Sequence, residues 1–206
     1  MQSTPRRRFL EKFMGLAAGL AVAPSLAGAS TRQSPDESWL QGLTGKHKQI
    51  LDVSTIRGGT PLARTANYLD AYAEAYGTRD SDTHAIFGVH SAALALAFND
   101  AMWAKYELGK RVSENDPRTQ APATRNIFAS GSPTSIARLQ ERGVRFIACM
   151  RAIRRLSGEL ATATNPADQV RAELVANLLP GVTPVPALIV AVNRAQEAGL
   201  TYVYLG

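Results

Sequence analysis

The chain has a single cysteine, Cys149, among its 206 residues. No intramolecular disulfide can form, and the same count excludes iron–sulfur ligation and a cysteine-based structural zinc site. The three histidines, His47, His84 and His90, show no HExxH or related spacing, so no metal site is expected, and no cofactor either. The sequence also lacks a GxSxG elbow, a P-loop and a GxGxxG turn, which leaves little basis for a hydrolase or an oxidoreductase. No stretch interleaves aromatic with basic residues, and no finger or basic zipper is present, so nucleic acid is not an expected partner. The apolar run near the start falls short of the ~20 residues of a membrane span and is diluted by Gly15, Gly19 and Pro24.

What is present begins with an address. Arg6, Arg7 and Arg8 run into Phe9 and Leu10, then a soft Ala/Gly/Leu segment, then Ala27, Gly28 and Ala29. A cationic start, an apolar centre and a small-residue cleavage site make an export signal over residues 1–29. The Arg6–Arg7 pair resembles the twin-arginine type, which implies the twin-arginine translocon as a partner during export and a periplasmic location. Pro5 and Glu11 depart from the usual pattern, and tethering by an uncleaved signal is the minor alternative. Cleavage after Ala29 removes four basic residues and one acidic one, so the formal charge falls from +6 to +3. The basicity behind a pI of 9.8 therefore belongs partly to the signal.

Hydrophobic residues at 45% and charged ones at 19% are those of an ordinary globular protein, and the remaining length suits one domain. Residues 30–47 are expected as a flexible leader and residues 48–206 as the folded unit. Within it short apolar runs alternate with helical patterns, the mark of an α/β domain with a mostly parallel sheet. Strands are predicted at Gln49–Ile56, His84–His90, Val144–Cys149 and Thr201–Leu205, with a short one at Asn126–Ala129. Helices are predicted from Thr60 to Gly77, Ala92 to Leu108, Ser132 to Gly143, Met150 to Thr162, Ala167 to Leu179 and Pro186 to Ala198. The polar stretch Lys110–Arg125 is long for a loop inside a compact domain and suggests a lid or an oligomer arm.

The chemistry centres on Cys149, at the C-terminal end of a strand and immediately before a helix, where ligands bind in open α/β sheets. Orphan N–H groups and the helix dipole favour a thiolate there, and Arg145, Arg151, Arg154 and Arg155 lie nearby in sequence. The alternatives are a small buried hydrophobe for Cys149 and a solvated helix face for the arginines. His90 ends its own strand and could meet Cys149 across the sheet edge, as a proton shuttle or as a structural histidine. Asn126 could present its amide to the same crevice, or serve a turn. Trp103 and Tyr106 suit core or subunit contacts.

The run Arg142-Gly143-Val144-Arg145-Phe146-Ile147-Ala148-Cys149 followed by Met150, Arg151, Ala152 and Ile153 resembles the corresponding segment of DsrE/DsrF-family sulfur-relay proteins. The blocks His90-Ser91-Ala92, Ala97 to Tyr106 and Arg194 to Gly199 resemble an exported, uncharacterised subgroup of that family, and the likeness spans roughly Gln49–Leu205. It implies a three-layer α/β/α fold with a mostly parallel sheet and assembly as a homo-oligomer. It also implies a persulfide carrier, at most sulfurtransferase-like, through Cys149, and the position of His90 at its own strand end then suits it to tune the thiolate. Arg151, Arg145 and Asn126 would then face an anionic sulfur compound, and a donor or acceptor protein would supply or take the sulfur. The competing expectation is a non-enzymatic oligomeric module that binds a small anionic ligand.

Overall fold

The computed structural model describes residues 36–206. The expected export signal and the first residues of the expected leader lie outside that range. Five strands form one sheet: β1 (His47–Val53), β2 (Thr83–Val89), β3 (Arg145–Cys149), β4 (Val182–Val185) and β5 (Thr201–Tyr204). Their order is β4-β3-β2-β1-β5 and every pairing is parallel. The chain steps outward from β1 to β4 and then returns past β1 to β5. Right-handed crossovers therefore place the helices after β1, β2 and β3 on one face and the helix between β4 and β5 on the other. The fold is a three-layer α/β/α sandwich.

Seven α-helices are described: α1 (Thr60–Tyr76), α2 (Asp100–Lys105), α3 (Leu108–Arg111), α4 (Ile136–Glu141), α5 (Met150–Leu160), α6 (Ala167–Ala176) and α7 (Leu188–Glu197). Strand alternation sorts the core into two clusters. Leu51, Val53, Phe87, Val89, Phe146 and Ala148 pack with α1, α2, α5 and α6. Ile50, Ile86, Ile147, Cys149 and Val185 pack under α7. Buried on both faces, β2 and β3 read as nearly continuous apolar runs, as parallel strands do.

Helix α1 matches its expected span. Thr60 and Pro61 open it, Leu62, Thr65, Ala66 and Leu69 are buried, and Gly77 closes it with φ 65°.

Four expectations are corrected. The helix predicted over Ala92–Leu108 breaks into a 3₁₀ segment (Ser91–Ala97) and the short helices α2 and α3. The cause is pairing with another segment: Phe98 is extended opposite Leu178, Asn99 N–H donates to Asn177 O, and the Asn99 side chain then caps α2 through Met102 N. The short strand expected at Asn126–Ala129 is a turn, closed by Ala129 N–H on Asn126 O. Strand β4 was not expected, because four residues with Pro184 among them give no alternation. Proline is tolerated there since β4 is an edge strand with no neighbour on its far side.

The fourth correction concerns the leader, whose described part is docked rather than free. Trp39, in a 3₁₀ turn (Ser38–Leu40), is only 5% exposed and joins the α7-side core. Arg194 of α7 ties Glu37 at 2.7 Å, and that carboxylate holds the guanidinium above its ordinary range.

The long polar stretch after α3 is also held down. Ala123 is buried, Asn115 bridges Pro122, and Glu114 accepts the Gly58 N–H at 2.8 Å. A Cβ on Gly109 would come within 2.2 Å of Ala123 O, so the return of this flap requires glycine beneath it.

Candidate functional site

Strands β3 and β4 are neighbours, yet the chain leaves β3 for α5 on one face and β4 for α7 on the other. Such divergence opens a crevice at the C-terminal ends of the strands, where open α/β sheets bind ligands. Cys149 is the last residue of β3, paired with Val185 of β4, and directly precedes α5. Its side chain points to the α7 face, where the Leu188 N–H at the start of α7 donates to Sγ at 3.3 Å. The sulfur thus sits between the starts of two helices. Gly88 lies beneath this contact: a Cβ there would lie 2.4 Å from Leu188 Cδ1, so a larger residue would displace the Leu188 side chain that closes over the sheet.

Cys149 is 6% exposed and lines a pocket of 440 Å³. His90, Arg151, Asp52, Leu188 and Tyr202 also line that pocket. The sequence expectation that His90 and Cys149 share one sheet edge is met to this extent. Val89 pairs Ala148, so the next residues along the two strands, His90 and Cys149, end side by side. His90 is anchored by its own N–H on Val53 O at 3.1 Å. It is followed by Ser91 at φ 50°, a left-handed conformation uncommon outside glycine. That turn brings Ser91 Oγ to 3.0 Å from His90 Nδ1.

The other ring nitrogen meets a residue that the sequence reading did not select. Asp52, on β1 and on the same face, puts Oδ1 3.0 Å from His90 Nε2, while Oδ2 accepts the Tyr202 hydroxyl at 2.9 Å. The His90 and Asp52 atoms are at ion-pair distance, but both are buried and neither completes a hydrogen bond, because the ring N–H is not aimed at the oxygen. Burial and then the Asp52 carboxylate push the Tyr202 phenol above its ordinary range. A signal for Asp52 existed: it is the only acidic residue in β1, two positions after buried Ile50 and therefore on the α7 face. Tyr202 offered less, since exposed tyrosines on an edge strand are common.

Two expected site residues lie elsewhere. Arg145 is on the same strand and face as Cys149 but four residues earlier, about 13 Å away at the opposite end of the sheet. Its guanidinium donates to the carbonyls of Trp39 at 2.9 Å and Gln41 at 2.5 Å, fastening the docked leader. Asn126 is 3% exposed and structural. Its amide N–H groups donate to Leu96 O at 3.0 Å and Phe98 O at 2.8 Å, and its oxygen accepts Phe128 N–H. Of the basic residues following Cys149, Arg151 lines the pocket, whereas Arg155 pairs with Glu159 on the helix surface. Trp103 is a core residue, donating Nε1–H to Ala95 O.

Among the described residues no cluster of three or more His, Cys, Asp or Glu side chains has the arrangement of a metal site, and no helix is long and apolar enough to cross a membrane. The site's potential chemistry is that of a thiol held by a backbone donor, beside an imidazole and a carboxylate that can move a proton.

No protein-family model matches the chain. No curated protein matches it either. Among solved structures, a protein of unknown function from Methanobacterium thermoautotrophicum is similar at 16% identity and a TM-score of 0.44, over 77% of this chain and 98% of that one.

Proposed function

We propose that the protein is an exported, DsrE-like sulfur carrier in which Cys149 takes up a sulfane sulfur and yields it to a second thiol. The observation that carries this reading is the position of Sγ. It accepts the Leu188 N–H in a pocket that His90, Asp52 and Arg151 also line, at the crevice between β3 and β4. Thiolate attack on sulfane sulfur needs three things: a sulfur open to a ligand-sized space, a donor that tolerates negative charge on it, and a nearby proton acceptor. Leu188 N–H is such a donor, and His90 is the acceptor, with the Asp52 carboxylate 3.0 Å away to offset the charge of the imidazolium. The activity is at most that of a sulfurtransferase, with a donor or acceptor protein completing the relay. The twin-arginine-like start supports delivery of the folded, homo-oligomeric protein to the periplasm.

A second reading, a non-enzymatic oligomeric binding module, draws support from Ile189 and Tyr202, large apolar side chains that line the pocket and are also exposed.

Treatment of the reduced protein with polysulfide, followed by intact-mass analysis, separates the two. The carrier gains about 32 Da per sulfur atom, mapped to Cys149 and lost on adding a small thiol. Cys149→Ser gains nothing. A wild-type protein that stays at its original mass would leave only the binding module.

A further inference from the structure

Resting on the carrier reading, we infer that the sulfur donor accepted at Cys149 is an organosulfur compound with an apolar body, an organic persulfide, rather than an inorganic sulfur oxyanion. The pocket's composition carries this. Ala187, Leu188, Ile189 and Val192 of the α7 start and the Tyr202 ring form its apolar wall. Its two charged side chains are of opposite sign, Arg151 and Asp52.

An oxyanion entering here gives up its hydration to a largely apolar surface and approaches a carboxylate, with one guanidinium to offset it. The second guanidinium expected for an anion site, Arg145, is committed to carbonyls at the far end of the sheet. A hydrocarbon-bearing donor meets the opposite balance, because burying its apolar surface is favourable at about 25 cal/mol per Å². The volume of 440 Å³ lies within the range usual for small-molecule sites. Ile189, 82% exposed at the mouth, and Tyr202, 42% exposed, continue the apolar wall out to solvent.

The transfer step balances without an added oxidant. His90 takes the Cys149 proton, and the thiolate attacks the terminal sulfur of R–S–SH. A new S–S bond forms on Cys149 as the R–S–S bond breaks, and the departing R–S⁻ takes the proton back from His90. The Cys149 sulfur is oxidised by one level, the R–S sulfur is reduced by one, and the products are Cys149 persulfide and R–SH.

The test compares two thiol reagents on the reduced protein, neutral 2,2′-dithiodipyridine and dianionic 5,5′-dithiobis(2-nitrobenzoate), each rate being divided by that of the same reagent with 2-mercaptoethanol. The expected normalised preference for the neutral reagent is at least about tenfold, equivalent to roughly 55 Å² of apolar surface. Ile189→Lys, at an exposed position that leaves the core intact, should reduce that preference by adding a cation and removing apolar surface at the mouth. Benzyl persulfide should likewise load Cys149 faster than thiosulfate does, read by intact mass. Equal rates, or faster reaction with the anionic reagents, would overturn the substrate class while leaving the carrier standing. A native protein inert to all four reagents, yet reactive when unfolded, would overturn both.

Discussion

Strand β3 carries two reactive-looking side chains on one face, Arg145 at its start and Cys149 at its end, and the two ends of the sheet treat them differently. At the N-terminal end the two arginines are committed to holding structure. Arg145 gathers the carbonyls of the docked leader, and Arg142 binds Asp70 at 2.8 Å and Asp80 at 2.9 Å. At the C-terminal end polar capacity is left over. Asp52 Oδ1 and His90 Nε2 lie 3.0 Å apart without a completed hydrogen bond, and the Cys149 sulfur accepts one N–H beside an open pocket. What sets the two ends apart is not charge density but the company of the incompletely satisfied groups: at the C-terminal end an imidazole and a carboxylate line one pocket with a thiol.

The contrast can be broken at its ends. The largest effect is expected from Trp39→Ala, which empties a buried position under α7 and should cost about 3–5 kcal/mol in denaturant unfolding. His90→Gln should leave stability nearly unchanged while slowing sulfur uptake by Cys149 about 10²-fold, the usual size of a lost general acid–base contribution. Sulfur loading followed over time checks this; an unaltered rate would make His90 a structural histidine. Arg145→Ala should do the reverse, lowering stability by about 1–3 kcal/mol through lost carbonyl contacts, with the loading rate of Cys149 preserved.

The smallest effect concerns His84, whose affinity for a proton is lowered by burial and then by Arg145 and Lys48. Its Nε2 is buried without a partner. Because the folded state binds that proton less readily than the unfolded chain, stability should fall as pH drops below about 6.5, the unfolded value. The loss should level off once the pH is under the folded value too. His84→Gln should flatten this slope, by on the order of 1 °C in Tm between pH 7.5 and 5.5, in thermal melts at both pH values.

Much of the fold was legible in the sequence because its signals are local. The Thr60-Pro61 start and Gly77 stop delimit α1, the apolar run before Cys149 is a doubly buried strand, and Gly199 separates α7 from β5. What was not legible depends on partners distant in sequence. The helix after Ser91 breaks because Asn177–Leu179 pairs with it, and β4 exists only because β3 offers it an edge. The site divides in the same way. Cys149, His90 and Arg151 followed from strand ends and helix starts. Arg145 was misplaced because proximity in sequence along a strand is distance in space, and Asp52 was missed because its role appears only once β1 lies beside β2.

Native-state reactivity of Cys149 is the most direct test of the claim that its pocket makes it a working thiol. The reduced, folded protein is treated with iodoacetamide at neutral pH and followed by intact mass, with and without denaturant. The account predicts a single alkylation in the native state, at a rate that subdenaturing urea does not change. Alkylation only above the unfolding transition would place Cys149 in the sealed core and contradict it.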